Sequence, residues 1–328
     1  MELLVLGGTR FVGRAMVLDA LSRGWTVTAV NRGVSGRLPA GVEQLTVDRG
    51  DAAALAKALE GRTFDLAVDT WAGAPDLVQS AARMLVGKVR RFGYVSSQSV
   101  YTDGFPIGGN ESWPTVAGDP SAGSTDYAAD KRGGELAATE AFPDAVLGRA
   151  GFILGPWENI GRLPWWLERF SRGGPVVAPG RPDRPLQYVD VRDLAAWLND
   201  ALEGDVRGPY NLTCPSGHAT TGSLLGAVLE VTGNRADLVW VAEDALGEVE
   251  WDHFPAWVPE GGQWAGMLEG DTTAALGTGL RSRSVAETVR DAWAWVQDEG
   301  MPTGSRSEPV GLPAELEAAL LAKASLTR

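Results

Sequence analysis

The chain has 328 residues, a formal net charge of −13 and the apolar content of an ordinary globular protein. Because an acidic surface repels phosphate groups, we expect no nucleic-acid partner and no membrane partner. A single cysteine, Cys214, excludes an internal disulfide, and two histidines without a cysteine cluster give no pattern for a metal site. The apolar run Leu3–Leu6 is too short for a signal peptide or a membrane span, so we expect a cytoplasmic protein.

The first half of the chain alternates strand and helix patterns. Predicted strands are short runs rich in apolar residues, and predicted helices carry apolar residues at helical spacing. This alternation predicts a parallel sheet covered by helices on both faces. The predicted strands are Leu3–Leu6, Trp25–Val30, Glu43–Val47, Phe64–Asp69, Arg91–Val95 and Asp144–Arg149, and the predicted helices are Phe11–Arg23, Ala52–Leu59, Pro75–Val86 and Tyr127–Ala141.

The second half is less regular, and Pro, Gly and Trp are frequent from Gly151 to Pro185. We therefore predict a doubly wound α/β fold of the Rossmann type with a smaller C-terminal substrate domain. Residues 1–150 form the predicted dinucleotide-binding domain, to which the chain returns at about 184–213; residues 151–183 and 214–300 form the substrate domain, and 301–328 a linker and terminal helix. Later predicted strands are Gln187–Val191 and Tyr210–Thr213, and later predicted helices are Asp193–Leu202, Thr221–Thr232, Val285–Gln297 and Pro313–Lys323.

A glycine-bearing turn, Gly7–Gly13, follows the first strand and opens the first helix. Gly7 permits a tight turn, and Gly13 lets the helix pack closely on the strand. The free N–H groups and positive dipole end of the helix would then face a pyrophosphate. The usual middle glycine is replaced by Arg10, so the pattern alone is weak. The predicted cofactor contacts of this turn are Gly7, Thr9, Arg10, Phe11, Val12 and Gly13.

The end of the second strand bears on the choice of cofactor. An acid there would accept hydrogen bonds from the adenosine ribose, but this chain has Asn31 followed by Arg32. Arg32 and Arg10 could both reach a 2′-phosphate, which a carboxylate would repel. We therefore expect NADP (NADPH) rather than NAD, unless both arginines are solvated surface charges. Further predicted cofactor contacts are Asp48, for the adenine edge, and Thr70, Trp71 and Ala72, for the ribose and phosphate walls.

Ser97, Tyr127 and Lys131 form a candidate catalytic trio. Ser97 falls at the end of the fifth strand, where open α/β sheets place their chemistry. Lys131 lies one helical turn after Tyr127, so the two side chains share a face. A phenol is a weak acid, with a reference pKa of about 10, and a nearby ammonium favours its ionised form. The trio could therefore donate a proton to a carbonyl, and Lys131 is also expected to bind the cofactor.

These residues resemble the short-chain dehydrogenase/reductase superfamily, in its extended branch of NAD(P)-dependent epimerases, dehydratases and reductases. Tyr94–Tyr101 is similar to that branch's Ser-x-x-Val-Tyr-Gly segment, and Tyr127 with Lys131 matches its Tyr-x-x-x-Lys segment. The glycine turn followed by Asn31-Arg32-Gly33 resembles an atypical, reductase-like subgroup. The resemblance covers roughly residues 1–295 and implies Ser97 as the catalytic serine, with a homodimer as a possible assembly.

The resemblance also leaves alternatives open. Dehydratases of the branch carry Thr-Asp-Glu where this chain has Ser97-Gln98-Ser99, so their acid and base are missing. We expect an NADPH-dependent reductase of a ketone, aldehyde or imine in a small, partly apolar metabolite. A nucleotide-sugar epimerase with tightly bound NAD is one alternative, and a non-catalytic nucleotide-sensing or RNA-associated protein is another. The predicted substrate contacts are Gln98, Trp113, Trp157, Trp166 and Arg184.

Overall fold

The computed structural model describes residues 1–247, 249, 253–302 and 310–325. Its strands are β1 (Glu2–Leu6), β2 (Thr26–Asn31), β3 (Val42–Thr46), β4 (Phe64–Asp69), β5 (Val89–Ser97), β6 (Val146–Ala150), β7 (Phe152–Leu154), β8 (Gly174–Pro179), β9 (Pro185–Leu186), β10 (Tyr188–Asp190), β11 (Gly208–Leu212), β12 (Ala219–Thr220) and β13 (Ala236–Val241). Its helices are α1 (Phe11–Ser22), α2 (Ala52–Ala58), α3 (Pro75–Leu85), α4 (Tyr127–Ala141), α5 (Arg162–Ser171), α6 (Val191–Glu203), α7 (Thr221–Val231), α8 (Glu243–Leu246), α9 (Thr273–Gly277), α10 (Val285–Glu299) and α11 (Ala314–Ser325).

A parallel sheet organises the first two thirds of the chain. In the described residues it has seven strands in the order β11-β6-β5-β4-β1-β2-β3. Strand β1 lies between β2 and β4, pairing Val5 with Ala29 on one side and with Val68 on the other. The chain order therefore reverses at β1, and the carboxyl ends of β1 and β4 flank the resulting crevice. The predicted Rossmann-type fold is confirmed.

The two faces of the sheet bury alternate residues of each strand. On one face Leu3 and Val5 pack with Met16 of α1 and Leu198 of α6. On the other face, the odd–even alternation places side chains against α3 and α4. Because both faces are covered, the interior strands have no polar side, which explains why β1 appears in the sequence as an unbroken apolar run.

Besides the two clusters that flank the sheet, a further cluster of buried side chains, which we call the second core, is formed by residues from Phe152 onward. Strands β8 and β13 pair in parallel, α5 and α11 pack against them, and α7 and α10 pack on α5. Helix α5 lies between Gly151 and Pro185, a stretch in which no regular element is expected from the sequence. Its Pro164 lies in the first turn, where a missing N–H breaks no helical hydrogen bond, and Leu163, Trp166, Leu167 and Phe170 form its buried face.

The proposed division into two domains, with its boundary near residue 150, stays a prediction, although the second core is separate from the two clusters that flank the sheet. The predicted terminal helix is present as α11. The predicted linker before it lies outside the described residues from residue 303 to residue 309. Within the described ranges no helix is both long enough and apolar enough to cross a membrane.

Candidate active site

The turn between β1 and α1 brings backbone close to backbone. Gly7 has φ +129°, and a Cβ there would lie 2.5 Å from Thr70 Oγ1. A Cβ on Gly13 would lie 2.5 Å from the backbone nitrogen of Gly8. Both positions therefore require glycine, as the sequence analysis expects. Helix α1 begins at Phe11 without a side-chain cap, so its first N–H groups remain available to an anion.

A cleft of about 180 Å³ opens at the carboxyl ends of β1, β2 and β4, and we call it the strand-end cleft. It contains seven of the residues predicted to contact a cofactor. Ala72 is exposed and does not line it, and Val12 is a packing residue of the core. The lining residues are Leu6, Gly7, Thr9, Val30, Asn31, Arg32, Ser35, Val47, Asp48, Arg49, Thr70 and Trp71.

The Asn31 side chain holds the β2 turn together. Its Nδ2 donates to the Gly7 carbonyl at 3.2 Å, and its Oδ1 accepts from Gly33 N at 2.9 Å and from Gln44 Nε2 at 2.8 Å. The nitrogen and the oxygen of this amide are therefore both hydrogen-bonded within the protein. The described residues that follow β2, from Arg32 to Ser35, carry no carboxylate, and the exposed side chain of Arg32 lines the cleft, whose one lining carboxylate is that of Asp48 after β3. The charge at this position favours an anionic group.

Arg49 is a cleft residue that the sequence analysis does not identify. Its guanidinium donates to both carboxylate oxygens of Asp69, at 2.8 and 2.6 Å, and lies 4.9 Å from the centre of the Trp71 ring. The Asp69 side chain is fully buried, and its Oδ1 also accepts from Trp71 N. This pair fixes the wall that Trp71 contributes to the cleft.

A second cleft, of about 660 Å³, lies on the other side of the glycine turn. We call it the arginine cleft, because Arg10, Arg14 and Arg37 line it. Arg10 donates to the Ser35 carbonyl at 2.9 Å, and Arg14 pairs with Glu299 at the end of α10. The Arg14 guanidinium lies 5.2 Å from the centre of the Trp157 ring. Trp157, predicted to contact substrate, is thus placed beside α1 and the glycine turn.

The candidate trio lies at the same edge of the sheet. Ser97 ends β5, and its Oγ accepts a hydrogen bond from Ser99 N at 3.1 Å. Tyr127 is the first residue of α4 and has 52% of its surface exposed, so a substrate can reach it. Lys131 Nζ donates to the carbonyl of Trp71 at 2.8 Å and to that of Val95 at 2.7 Å. The lysine therefore connects the wall of the strand-end cleft with the strand that carries Ser97.

Burial lowers the pKa of Lys131 to about 8, and the charge of Arg49 acts in the same direction. The carboxylates of Asp69 and Glu135 oppose this shift. The ammonium has three N–H groups, of which two are used by the carbonyls, so one remains for another acceptor. The site thus holds a lysine that loses its charge near pH 8.

A network of buried charged side chains lies next to the candidate trio. Glu135, on α4 with no exposed surface, accepts from Ser96 Oγ at 2.7 Å and from two nitrogens of Arg149 at 2.8 and 2.9 Å. Arg149 Nη1 also donates to Tyr101 Oη at 3.3 Å. Because Ser96 precedes Ser97, this network links β5, β6 and α4 next to the candidate serine.

The predicted substrate contacts are dispersed. Trp166 has 1% of its surface exposed and donates to the Pro255 carbonyl within the second core, so it is a packing residue. Arg184 is buried, with Nη2 donating to the Pro259 carbonyl and Nη1 near Glu269. Trp113 packs edge-on against Phe105. Gln98 follows Ser97 directly and is buried.

These features define the class of the protein as Rossmann-like, with a serine, a tyrosine and a lysine at the carboxyl edge of the sheet. Residues 62–212 match the model of the NAD dependent epimerase/dehydratase family. This match confirms the resemblance stated from the sequence. No curated protein matches the chain.

Solved structures share the fold at low sequence identity. The enzyme WbmG of Bordetella bronchiseptica, in complex with NAD, is 19% identical with a TM-score of 0.69, over 94% of this chain and 98% of that one. A putative epimerase from Burkholderia cenocepacia is 20% identical with a TM-score of 0.69, over 92% and 98%. The UDP-glucose 4-epimerase of Thermus thermophilus, in complex with NAD, is 22% identical with a TM-score of 0.65, over 90% and 99%.

Proposed function

We propose that the protein is a nicotinamide-dinucleotide-dependent reductase that converts the carbonyl or imine of a small molecule, using NADPH. The observation that carries the proposal is the placement of Lys131, which joins the strand-end cleft to Ser97. The glycine turn and the uncapped start of α1 fit the pyrophosphate of a dinucleotide. Asn31 and Arg32, which stand where a carboxylate would bind the ribose, fit an additional phosphate. The NAD complexes among the structural neighbours support a nicotinamide dinucleotide as such.

Each residue of the trio has one task in this reaction. The bound cofactor would supply a hydride to the substrate carbon. Tyr127 Oη donates a proton to the substrate oxygen or nitrogen, which takes up the electron pair of the broken π bond. Ser97 Oγ hydrogen-bonds the same atom while negative charge develops there. The Lys131 ammonium stabilises the tyrosinate that remains, and its third N–H is available to the cofactor ribose.

Cofactor preference should depend on Arg32. We expect the protein to bind NADPH more tightly than NADH, and Arg32→Ala to weaken NADPH about 10–100-fold, since a charged hydrogen bond to phosphate is lost. NADH binding should change little. Fluorescence titration with both cofactors measures this. Arg90→Ala removes an exposed arginine at the opposite end of the sheet and serves as the control. Tighter binding of NADH by the wild type would refute the NADPH assignment.

The rate should fall in alkaline solution because Lys131 loses its charge. With its pKa lowered to about 8, the lysine is charged below that pH and neutral above it. We expect kcat/KM for carbonyl reduction to be level below about pH 8 and to fall by about tenfold per pH unit above it. Lys131→Arg retains a charge throughout, so its profile should lack this limb. A wild-type profile that stays level to about pH 10 would contradict the role of Lys131.

A second candidate is epimerisation of a nucleotide sugar with NAD retained in the site. It is favoured by the fold neighbours, among them a UDP-glucose 4-epimerase with NAD. The same trio would remove a proton from a hydroxyl and return it, with no net consumption of cofactor. Analysis of nucleotide released from denatured, freshly purified protein distinguishes the two. Stoichiometric NAD and no oxidation of added NADPH would replace the reductase proposal with this one.

A further inference from the structure

Buried polar atoms without partners gather next to Ser97. Gln98 has 2% of its surface exposed, and Thr213 has none. Among the described residues, neither Gln98 Oε1, Gln98 Nε2 nor Thr213 Oγ1 has a hydrogen-bond partner. Folded proteins pair the great majority of such atoms, because an unpaired buried donor or acceptor loses its hydration without compensation. These three atoms therefore need an explanation.

Gly151 explains how the two side chains come together. A Cβ on this glycine would lie 2.4 Å from Thr213 Cγ2 and 3.1 Å from Gln98 Oε1. Gly151 follows β6, Gln98 follows β5, and Thr213 follows β11, so all three lie at the carboxyl edge of neighbouring strands. We call this group (Gln98, Gly151 and Thr213) the amide nook. It occupies the edge of the sheet where the candidate chemistry lies.

A second buried glutamine in the same chain behaves differently. Gln187 is fully buried, and its Nε2 donates to the carbonyls of Cys214 and Gly270 at 2.9 and 3.0 Å. Its Oε1 accepts from Gly270 N at 2.7 Å. A glutamine with a structural role in this protein therefore has hydrogen-bond partners for both its amide nitrogen and its amide oxygen. The amide of Gln98 is held by no hydrogen bond from the described residues, so it can turn toward a ligand without breaking one.

We propose that the amide nook recognises a hydroxyl group on the carbon next to the reacting carbonyl, so that the substrate is a hydroxylated carbonyl compound. A carboxamide both donates and accepts, as a hydroxyl does, and the hydroxyl of Thr213 adds a third partner. A site built for hydrogen bonding rejects a ligand that lacks the matching group, because its own polar atoms then stay unpaired. This inference rests on the proposed function and specifies its substrate class. Gln98 acts here as a specificity residue.

The first arm of the test concerns the free protein. Gln98→Met keeps the side-chain length and removes the unpaired amide, so we expect Tm to rise by about 2–4 °C. Gln187→Met removes three satisfied hydrogen bonds and should lower Tm by about 4 °C or more. A decrease in Tm for Gln98→Met as large as that for Gln187→Met would show that the Gln98 amide is satisfied within the folded protein, for instance by buried water, and would overturn the proposal.

The second arm compares two ketones of equal size, hydroxyacetone and butanone, reduced with NADPH. We expect the wild type and Gln187→Met to favour hydroxyacetone in kcat/KM by about tenfold or more, and Gln98→Met to lose that preference, as Thr213→Val does in part. If the wild type reduces both ketones with equal kcat/KM, the proposed role of the amide nook is wrong, whereas the reductase function still holds.

If the wild type reduces neither ketone, turnover gives no comparison between them, and ligand binding decides whether the amide nook recognises the hydroxyl. Ligand-detected NMR should then show hydroxyacetone bound in preference to butanone by the wild type and not by Gln98→Met. The absence of that preference would reject the nook independently of any activity.

Discussion

Replacement of Tyr127 by phenylalanine is expected to lower kcat by about 10²–10⁴-fold, which is the usual contribution of a positioned proton donor. The change removes one oxygen from a side chain that is 52% exposed and makes no hydrogen bond with the other described residues, so folding should be unaffected. Lys131, held by two backbone carbonyls, keeps its place beside the cofactor cleft. The dissociation constant for NADPH should therefore change by less than about twofold.

Tyr210→Phe is the matched control for this experiment. Tyr210 lies on the edge strand β11 and packs against Trp197, away from the trio, and its loss of a hydroxyl should leave kcat unchanged. Steady-state turnover and cofactor titration of both variants give the comparison. Full activity of Tyr127→Phe would show that another group donates the proton, and a parallel loss of NADPH binding would assign the tyrosine to the cofactor site instead.

The main sheet could be predicted because its strands carry their own signal. Short runs rich in apolar residues and bounded by turn residues indicate β1, β2 and β4, and apolar residues at helical spacing indicate the helices between strands. The region from Gly151 to Pro185 could not be predicted in the same way. Its helix α5 contains a proline and adjacent tryptophans. Its strand β8 pairs with β13, which lies about 60 residues later in the chain, and such long-range pairing gives no signal in the local sequence.

The candidate site likewise contains residues that the sequence predicts and residues that it does not. Asp48 and Thr70 could be predicted as cleft residues because they directly follow strands whose carboxyl ends meet. Arg49 could not, since an arginine after an acid resembles a solvated charge until its pairing with Asp69 is seen. A tryptophan in the sequence does not by itself indicate whether it lines a pocket or packs in a core: Trp166 packs in the second core, whereas the ring of Trp157 lies against the Arg14 guanidinium. The position of each tryptophan depends on which face of a helix carries it and on the path of its loop, and neither can be read from composition.

Glu135→Leu is expected to cost about 3–5 kcal/mol in the free energy of unfolding. The substitution leaves the guanidinium of Arg149 buried, with its two hydrogen bonds to the carboxylate gone. Denaturant unfolding measures the loss. Glu140→Gln on the same helix removes the charge of an exposed pair, 3.7 Å from Arg83, and keeps an amide oxygen that can accept from Gln79, so it should change stability by less than about 0.5 kcal/mol.

The double variant Glu135→Leu/Arg149→Met decides whether the loss comes from the stranded charge. If it does, the double variant should be more stable than Glu135→Leu alone, because apolar residues of similar size can replace a buried ion pair at little cost. A further loss on adding Arg149→Met would instead show that the contacts of Arg149 with Tyr101 and with the Glu111 carbonyl dominate. Because Glu135 also holds Ser96 beside Ser97, recovered stability with low turnover in the double variant would separate the positioning of the serine from the stability of the fold.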